Sequence, residues 1–155
     1  MLWFKRFGLL ALVTALSTTS VVAEEANFQT LTLSPGFKSS TGVTSGYTSG
    51  SFSLSAIANR DRYKNPCIGF GSPKPDHTIV LERDFPRLTV QVDSRGKDTT
   101  LVIQGPDGTM RCGDDTGRRK DASFQDQNWK AGRYNIWIGS IEAGKTWNYR
   151  LSVKE

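Results

Sequence analysis

Between Leu88 and Asp93 every second residue is apolar: Leu88, Val90 and Val92 alternate with Thr89, Gln91 and Asp93. A period of two belongs to a strand, whose side chains point alternately to opposite faces. A helix would repeat its apolar stripe every three to four residues. The same period recurs along the chain. Leu31 and Leu33 alternate with Thr30 and Thr32, and Phe52, Leu54, Ala56 and Ala58 alternate with serines and other residues. Ile79 and Leu81 open another run, Tyr134, Ile136 and Ile138 share a face, and Trp147, Tyr149, Leu151 and Val153 close the chain. Thr99 to Gln104 is rich in β-branched residues, which favour strands.

Turn formers separate these runs. Asp84-Phe85-Pro86, Ser94-Arg95-Gly96-Lys97, Pro106-Asp107-Gly108, Ala131-Gly132 and Glu142-Ala143-Gly144-Lys145 all fall between apolar stretches. At Pro106-Asp107-Gly108 proline presets φ, aspartate bonds its own backbone and glycine accepts positive φ, so a hairpin turn is expected. About eight short strands at close spacing predict an all-β chain folded as an antiparallel, jelly-roll-like β-sandwich.

Three stretches lack the period. Ser34 to Ser51, SPGFKSSTGVTSGYTSGS, buries little apolar surface against its ordering entropy and is expected to be a flexible loop. Asn59 to Pro75 is a long connection containing Cys67. Gly113-Asp114-Asp115-Thr116-Gly117 opens a polar, acidic loop expected to run to about Trp129. The expected organisation is a signal peptide over residues 1–23, an N-terminal strand and flexible loop over 24–51, and a β-sandwich domain over 52–155.

The signal peptide rests on Lys5 and Arg6 before the apolar run Phe7 to Leu16, with small residues at Val21-Val22-Ala23. The run is too short for a bilayer core, which takes about 20 residues, and no later stretch is apolar enough to span. Export to the periplasm or the extracellular space is therefore expected. Losing Lys5 and Arg6 from a chain of formal charge +5 leaves a modest positive balance. The basic run Arg118-Arg119-Lys120 is flanked by Asp114-Asp115 and Asp121, so no nucleic-acid partner is expected.

The stretches Asp98-Thr99-Thr100-Leu101-Val102-Ile103, Pro106-Asp107-Gly108, Cys112-Gly113-Asp114-Asp115 and Gly132-Arg133-Tyr134-Asn135-Ile136-Trp137-Ile138-Gly139 resemble the bacterial pre-peptidase C-terminal domain family. Cys67-Ile68-Gly69-Phe70 and Pro75-Asp76-His77 resemble its exported relatives with a paired-cysteine pattern. The resemblance spans roughly residues 55–153. It implies a jelly-roll-like sandwich that is usually an accessory domain of secreted enzymes and not itself catalytic, with calcium or fibrous protein as the ligand of some relatives.

The chemistry-bearing residues are few. Cys67 and Cys112 are the two cysteines; an even count in an exported chain reads as a disulfide. The alternative is a cysteine nucleophile assisted by His77. His77 is the single histidine, no Gly-x-Ser-x-Gly elbow surrounds any serine, and one histidine with two cysteines makes no usual zinc set. Asp98, Asp114, Asp115 and Asp121 converge if the Pro106-Asp107-Gly108 hairpin pairs as read, and are the candidate calcium ligands; the alternative is an ordinary turn whose carboxylates are balanced by Arg118, Arg119 and Lys120. Trp137 has opposite parity to its neighbours. It either packs against the fold or offers a stacking platform for a sugar or peptide, and is the candidate ligand-binding residue. The expected function is a non-catalytic binding or accessory module for an unidentified protein or polysaccharide of the cell envelope. The alternatives are a structural envelope protein stabilising a larger complex and, third, a secreted hydrolase.

Overall fold

The computed structural model describes residues 25–155, so the signal peptide expected over 1–23 lies outside the described residues. Among the described residues there are eleven strands: β1 (Thr30–Leu33), β2 (Val43–Tyr47), β3 (Phe52–Ser53), β4 (Phe70–Gly71), β5 (His77–Leu81), β6 (Phe85–Asp93), β7 (Thr99–Gln104), β8 (Met110–Thr116), β9 (Arg119–Trp129), β10 (Gly132–Ser140) and β11 (Asn148–Lys154). One short 3-10 turn covers Leu54–Ala56. The fold is all-β, with more strands than the eight expected.

The strands form two layers. The first runs β1-β5-β10-β7-β8 and the second β8-β9-β6-β11-β2. β8 belongs to both: Met110 to Gly113 pair with β7, whereas Asp114 and Thr116 pair with β9 across a register shift. A bulge of this kind bends a strand and raises its twist, which carries the chain from one layer to the other. Gly113 sits at the crossing, where a Cβ would overlap the Ser123 carbonyl oxygen of β9. All pairings are antiparallel except β1 with β5. That parallel pair needs a long crossover, which residues 34–76 supply.

The main core lies between the layers. Leu88, Val90 and Val92 from β6 meet Leu101 and Ile103 from β7, Ile136 and Ile138 from β10, and Leu151 and Val153 from β11. All are at most 1% exposed. The period of two that marked these strands is thus the period of the core. A second cluster lies on the outer side of the first layer, where Val102 and Trp137 meet Leu54, Cys67 and Cys112. Residues 52–71 cover that side, so β7 is buried on both faces, as its uninterrupted TTLVI suggests.

Four expectations need correction. The acidic loop from Gly113 to Trp129 is a hairpin, because β9 occupies Arg119–Trp129. Its inward positions carry Ala122, Phe124 and Asp126, so a buried acid interrupts the apolar period, and Asn128 at φ 57° shifts the alternation before Trp129. The stretch Ser34 to Ser51 contains β2, paired with β11, so it is not a loop throughout. Its inward residues are Thr44 and Gly46, which leave no apolar signature. Gly46 lies against the Tyr149 ring, too close for a side chain. The run from Phe52 to Ala58 is a strand for two residues only, then a 3-10 turn. Trp147 precedes β11 and is half-buried, while Tyr149, Leu151 and Val153 face the core as expected.

Candidate functional site

The sandwich brings three of the four candidate aspartates together at one end. Asp98 ends the turn between β6 and β7, while Asp114 and Asp115 lie on β8 just past its change of layer. Pairing of Leu101 with Gly113 carries Asp98 alongside the end of β8. A carboxylate oxygen from each residue lies within 4.8 Å of the others. Asp98 and Asp114 are half-buried and Asp115 is exposed. Burial pushes the Asp114 carboxyl above its ordinary value, and the negative charges of Asp115 and Asp98 push the same way. Asp114 Oδ1 is buried without a hydrogen-bond partner. Among the described residues two other side-chain atoms share that condition, Thr100 Oγ1 and Asn135 Oδ1, but neither is ionisable.

Lys120, from β9, places its Nζ 2.7 Å from Asp98 Oδ2. That hydrogen bond and the Asp98 charge raise the lysine's pKa. Asp121 stands apart from the cluster. Its Oδ1 accepts from the Ser94 amide at 2.7 Å and from Ser94 Oγ at 2.5 Å, and its Oδ2 accepts from the Gly96 amide at 3.2 Å. Burial pushes its carboxyl up, but the bonds from Ser94 and Gly96 outweigh that and hold it below its ordinary value. Asp121 therefore closes the 94–97 turn that delivers Asp98.

Cys67 and Cys112 form a disulfide with their Cα atoms 5.2 Å apart. It ties the segment covering the first layer to β8, next to the strand's crossing point. Trp137 is 5% exposed in the second cluster, and its Nε1 donates to the Pro73 carbonyl at 3.2 Å. It packs against the fold and presents no stacking face. His77 is fully buried, with Nδ1 3.1 Å from the Gln29 carbonyl and Nε2 3.0 Å from the Tyr149 hydroxyl. Burial lowers its pKa, so the ring is held neutral and both nitrogens are engaged.

Sequence reading overlooked a second polar constellation. Arg111 on β8 is 3% exposed, its guanidinium carbon 4.4 Å from the Trp129 ring centroid and its Nε 2.8 Å from Asp126 Oδ2. Tyr63 donates its hydroxyl to Asp126 Oδ1 at 2.5 Å. The signal for this network was Asp126 two residues beyond Phe124, at inward parity, visible only once residues 119–129 are taken as a strand.

No family profile matches the chain. No curated protein matches it by sequence. Among solved structures it is similar to the pre-peptidase C-terminal domain of collagenase from Bacillus anthracis, with 18% identity, 86% of this chain and 98% of that chain covered, and a TM-score of 0.46. It is also similar to CorA of Methylomicrobium album BG8, a surface-associated copper-binding protein important in copper acquisition, with 8% identity, 81% and 98% coverage and a TM-score of 0.45. A third is PliG of Aeromonas hydrophila, a periplasmic lysozyme inhibitor of g-type lysozyme, with 16% identity, 81% and 96% coverage and a TM-score of 0.39.

Proposed function

We propose that this chain is an exported, non-catalytic binding module that holds a calcium ion at Asp98, Asp114 and Asp115 and engages a polysaccharide or protein of the cell envelope. The observation that carries the calcium reading is the Asp114 carboxylate, which has a buried oxygen without a hydrogen-bond partner and two further carboxylates beside it. Calcium takes six to eight oxygen ligands and tolerates irregular geometry, whereas magnesium demands a near-ideal octahedron. Bound there, the ion's two positive charges would offset most of the charge on the three carboxylates and tie the β6–β7 turn to the β8–β9 hairpin. Lys120 already pairs with Asp98, so the ion competes with an ammonium.

Thermal unfolding of the mature chain in millimolar calcium and in chelator tests the site, for wild type and for Asp114→Asn with Asp115→Asn. Calcium at a hundred times its dissociation constant adds about 2.7 kcal/mol, several degrees for a domain of this size. The double variant should unfold identically in both solutions. Coincident wild-type curves reject calcium. Retention of the mature protein on an envelope extract tests the binding module. Turnover of an ester, peptide or glycoside substrate that one substitution abolishes, with the fold intact, overturns the non-catalytic reading.

A further inference from the structure

The two layers differ on their outer sides. Residues 52–71 cover the first layer, whereas the outward residues of β2, β11, β6 and β9 in the second are exposed or half-buried, Asp121 excepted. Register aligns these residues in rows. Ser45, Arg150 and Asp93 form one, and Val43, Ser152, Gln91 and Ser123 form the next. Two hollows open on this face, the first of them also lined by the inward Gly46 and Tyr149. One, of about 850 Å³, is walled by Phe28, Tyr47, Arg95 and Asn148; the other, of about 520 Å³, by Ser40, Arg119, Ser152 and Lys154. Both include Asp93 and Arg150, so they form one groove along β11. From Asn148 to Lys154 a strand extends about 20 Å, room for an extended polymer.

The groove is cationic. Arg95, Arg119, Arg150 and Lys154 line it against Asp93 and Asp121. Asp121 has its oxygens occupied by Ser94 and Gly96, and Asp93 Oδ1 accepts the Arg95 amide. Among the described residues the side chains of Arg95, Arg119 and Arg150 make no ion pair within 4.0 Å. Three guanidinium forks are thus presented to solvent, each suited to a carboxylate. Between them stand hydroxyls and amides, Ser45, Ser152, Gln91 and Asn148, and at one end Tyr47, 46% exposed, with Phe28 edge-on at 5.0 Å.

We propose that this groove binds an anionic polysaccharide strand of uronate type, with Arg95, Arg119 and Arg150 on its carboxylates, the hydroxyls and amides on its hydroxyls, and Tyr47 under a sugar ring. The inference rests on the binding-module reading and adds the surface and the ligand class. A protein partner suits the face less well, because protein interfaces centre on buried apolar and aromatic anchors. Tyr47 is the single large exposed hydrophobic side chain here; the other two among the described residues, Tyr63 and Ile141, line neither hollow.

Affinity measurements on the mature protein, with polygalacturonate, neutral dextran and polyglutamate as probes, test the proposal. Polygalacturonate should bind, more weakly as salt screens the arginines, and dextran and polyglutamate should bind at least tenfold more weakly. Arg119→Gln with Arg150→Gln, and separately Tyr47→Ser, should each lower polygalacturonate affinity at least tenfold with melting unchanged, whereas Lys64→Gln, outside the groove, should leave it unchanged. Equal binding of polyglutamate, equal binding of dextran, or polygalacturonate binding insensitive to the groove variants overturns the proposal. Retention on envelope extract without polygalacturonate binding overturns this groove and leaves the module reading standing. Retention on none of these materials overturns both.

Discussion

Asp76 is 2% exposed just before β5, where its Oδ2 accepts the Ile138 amide at 2.8 Å and its Oδ1 accepts Asn27 Nδ2 at 3.2 Å. Burial dominates those two bonds and raises its pKa to about 6. An unfolded aspartate titrates near 3.9, so between about pH 4 and 6 the folded chain keeps a proton that the unfolded chain has lost. The stabilisation is present in full below pH 4 and disappears as pH rises through about 6. A difference of about two pH units between the states is worth about 3 kcal/mol. Asp76→Asn cannot titrate, so denaturant unfolding should show it gaining stability relative to wild type by about that amount between pH 4 and 7. Parallel profiles would show that Asp76 does not titrate in this range. In the sequence Asp76 stood out only within Pro75-Asp76-His77, a stretch that resembles exported relatives. Its burial was not visible there, because that depends on β10 and on Asn27, far away in sequence.

At the scale of the element, β11 and β9 show what period reading can and cannot reach. In β11, Tyr149, Leu151 and Val153 are at most 4% exposed, while the residues between them face outward or are half-buried. Leu151→Ala should cost about 2–5 kcal/mol. Ser152→Ala should stay within about 0.5 kcal/mol, and comparable losses in urea titrations would mean the inward face is misassigned. β9 escaped the same reading because its inward row includes Asp126, which is satisfied by Arg111 and Tyr63. An acid can occupy a core position when its partners arrive from other strands. β2 escaped for the opposite reason. Thr44 and Gly46 supply no apolar mark, and the strand is held by its pairing with β11.

At the scale of the molecule, the disulfide decides how the cover over the first layer is held. It joins residues 45 apart in sequence; in the chain-entropy model a loop of that length stabilises by about 4 kcal/mol, with delivered values often lower. Cys67→Ser with Cys112→Ser should lower stability by about 2–4 kcal/mol and expose residues 52–71 to protease or hydrogen exchange before β6, β7 and β10, since weakly anchored segments open first. Equal protection across both would show that Leu54, Val102 and Trp137 hold the cover by themselves. The all-β class, the inward faces of β6, β10 and β11, and the pairing of the two cysteines followed from the sequence, because alternation and cysteine count are local or compositional properties. The two layers, the crossing of β8 at Gly113, the separation of Asp121 from Asp98, Asp114 and Asp115, and the cationic groove along β11 were decided by tertiary structure alone. Each depends on register between strands distant in the chain, and a period of two says which face a residue takes but not which strand lies beside it.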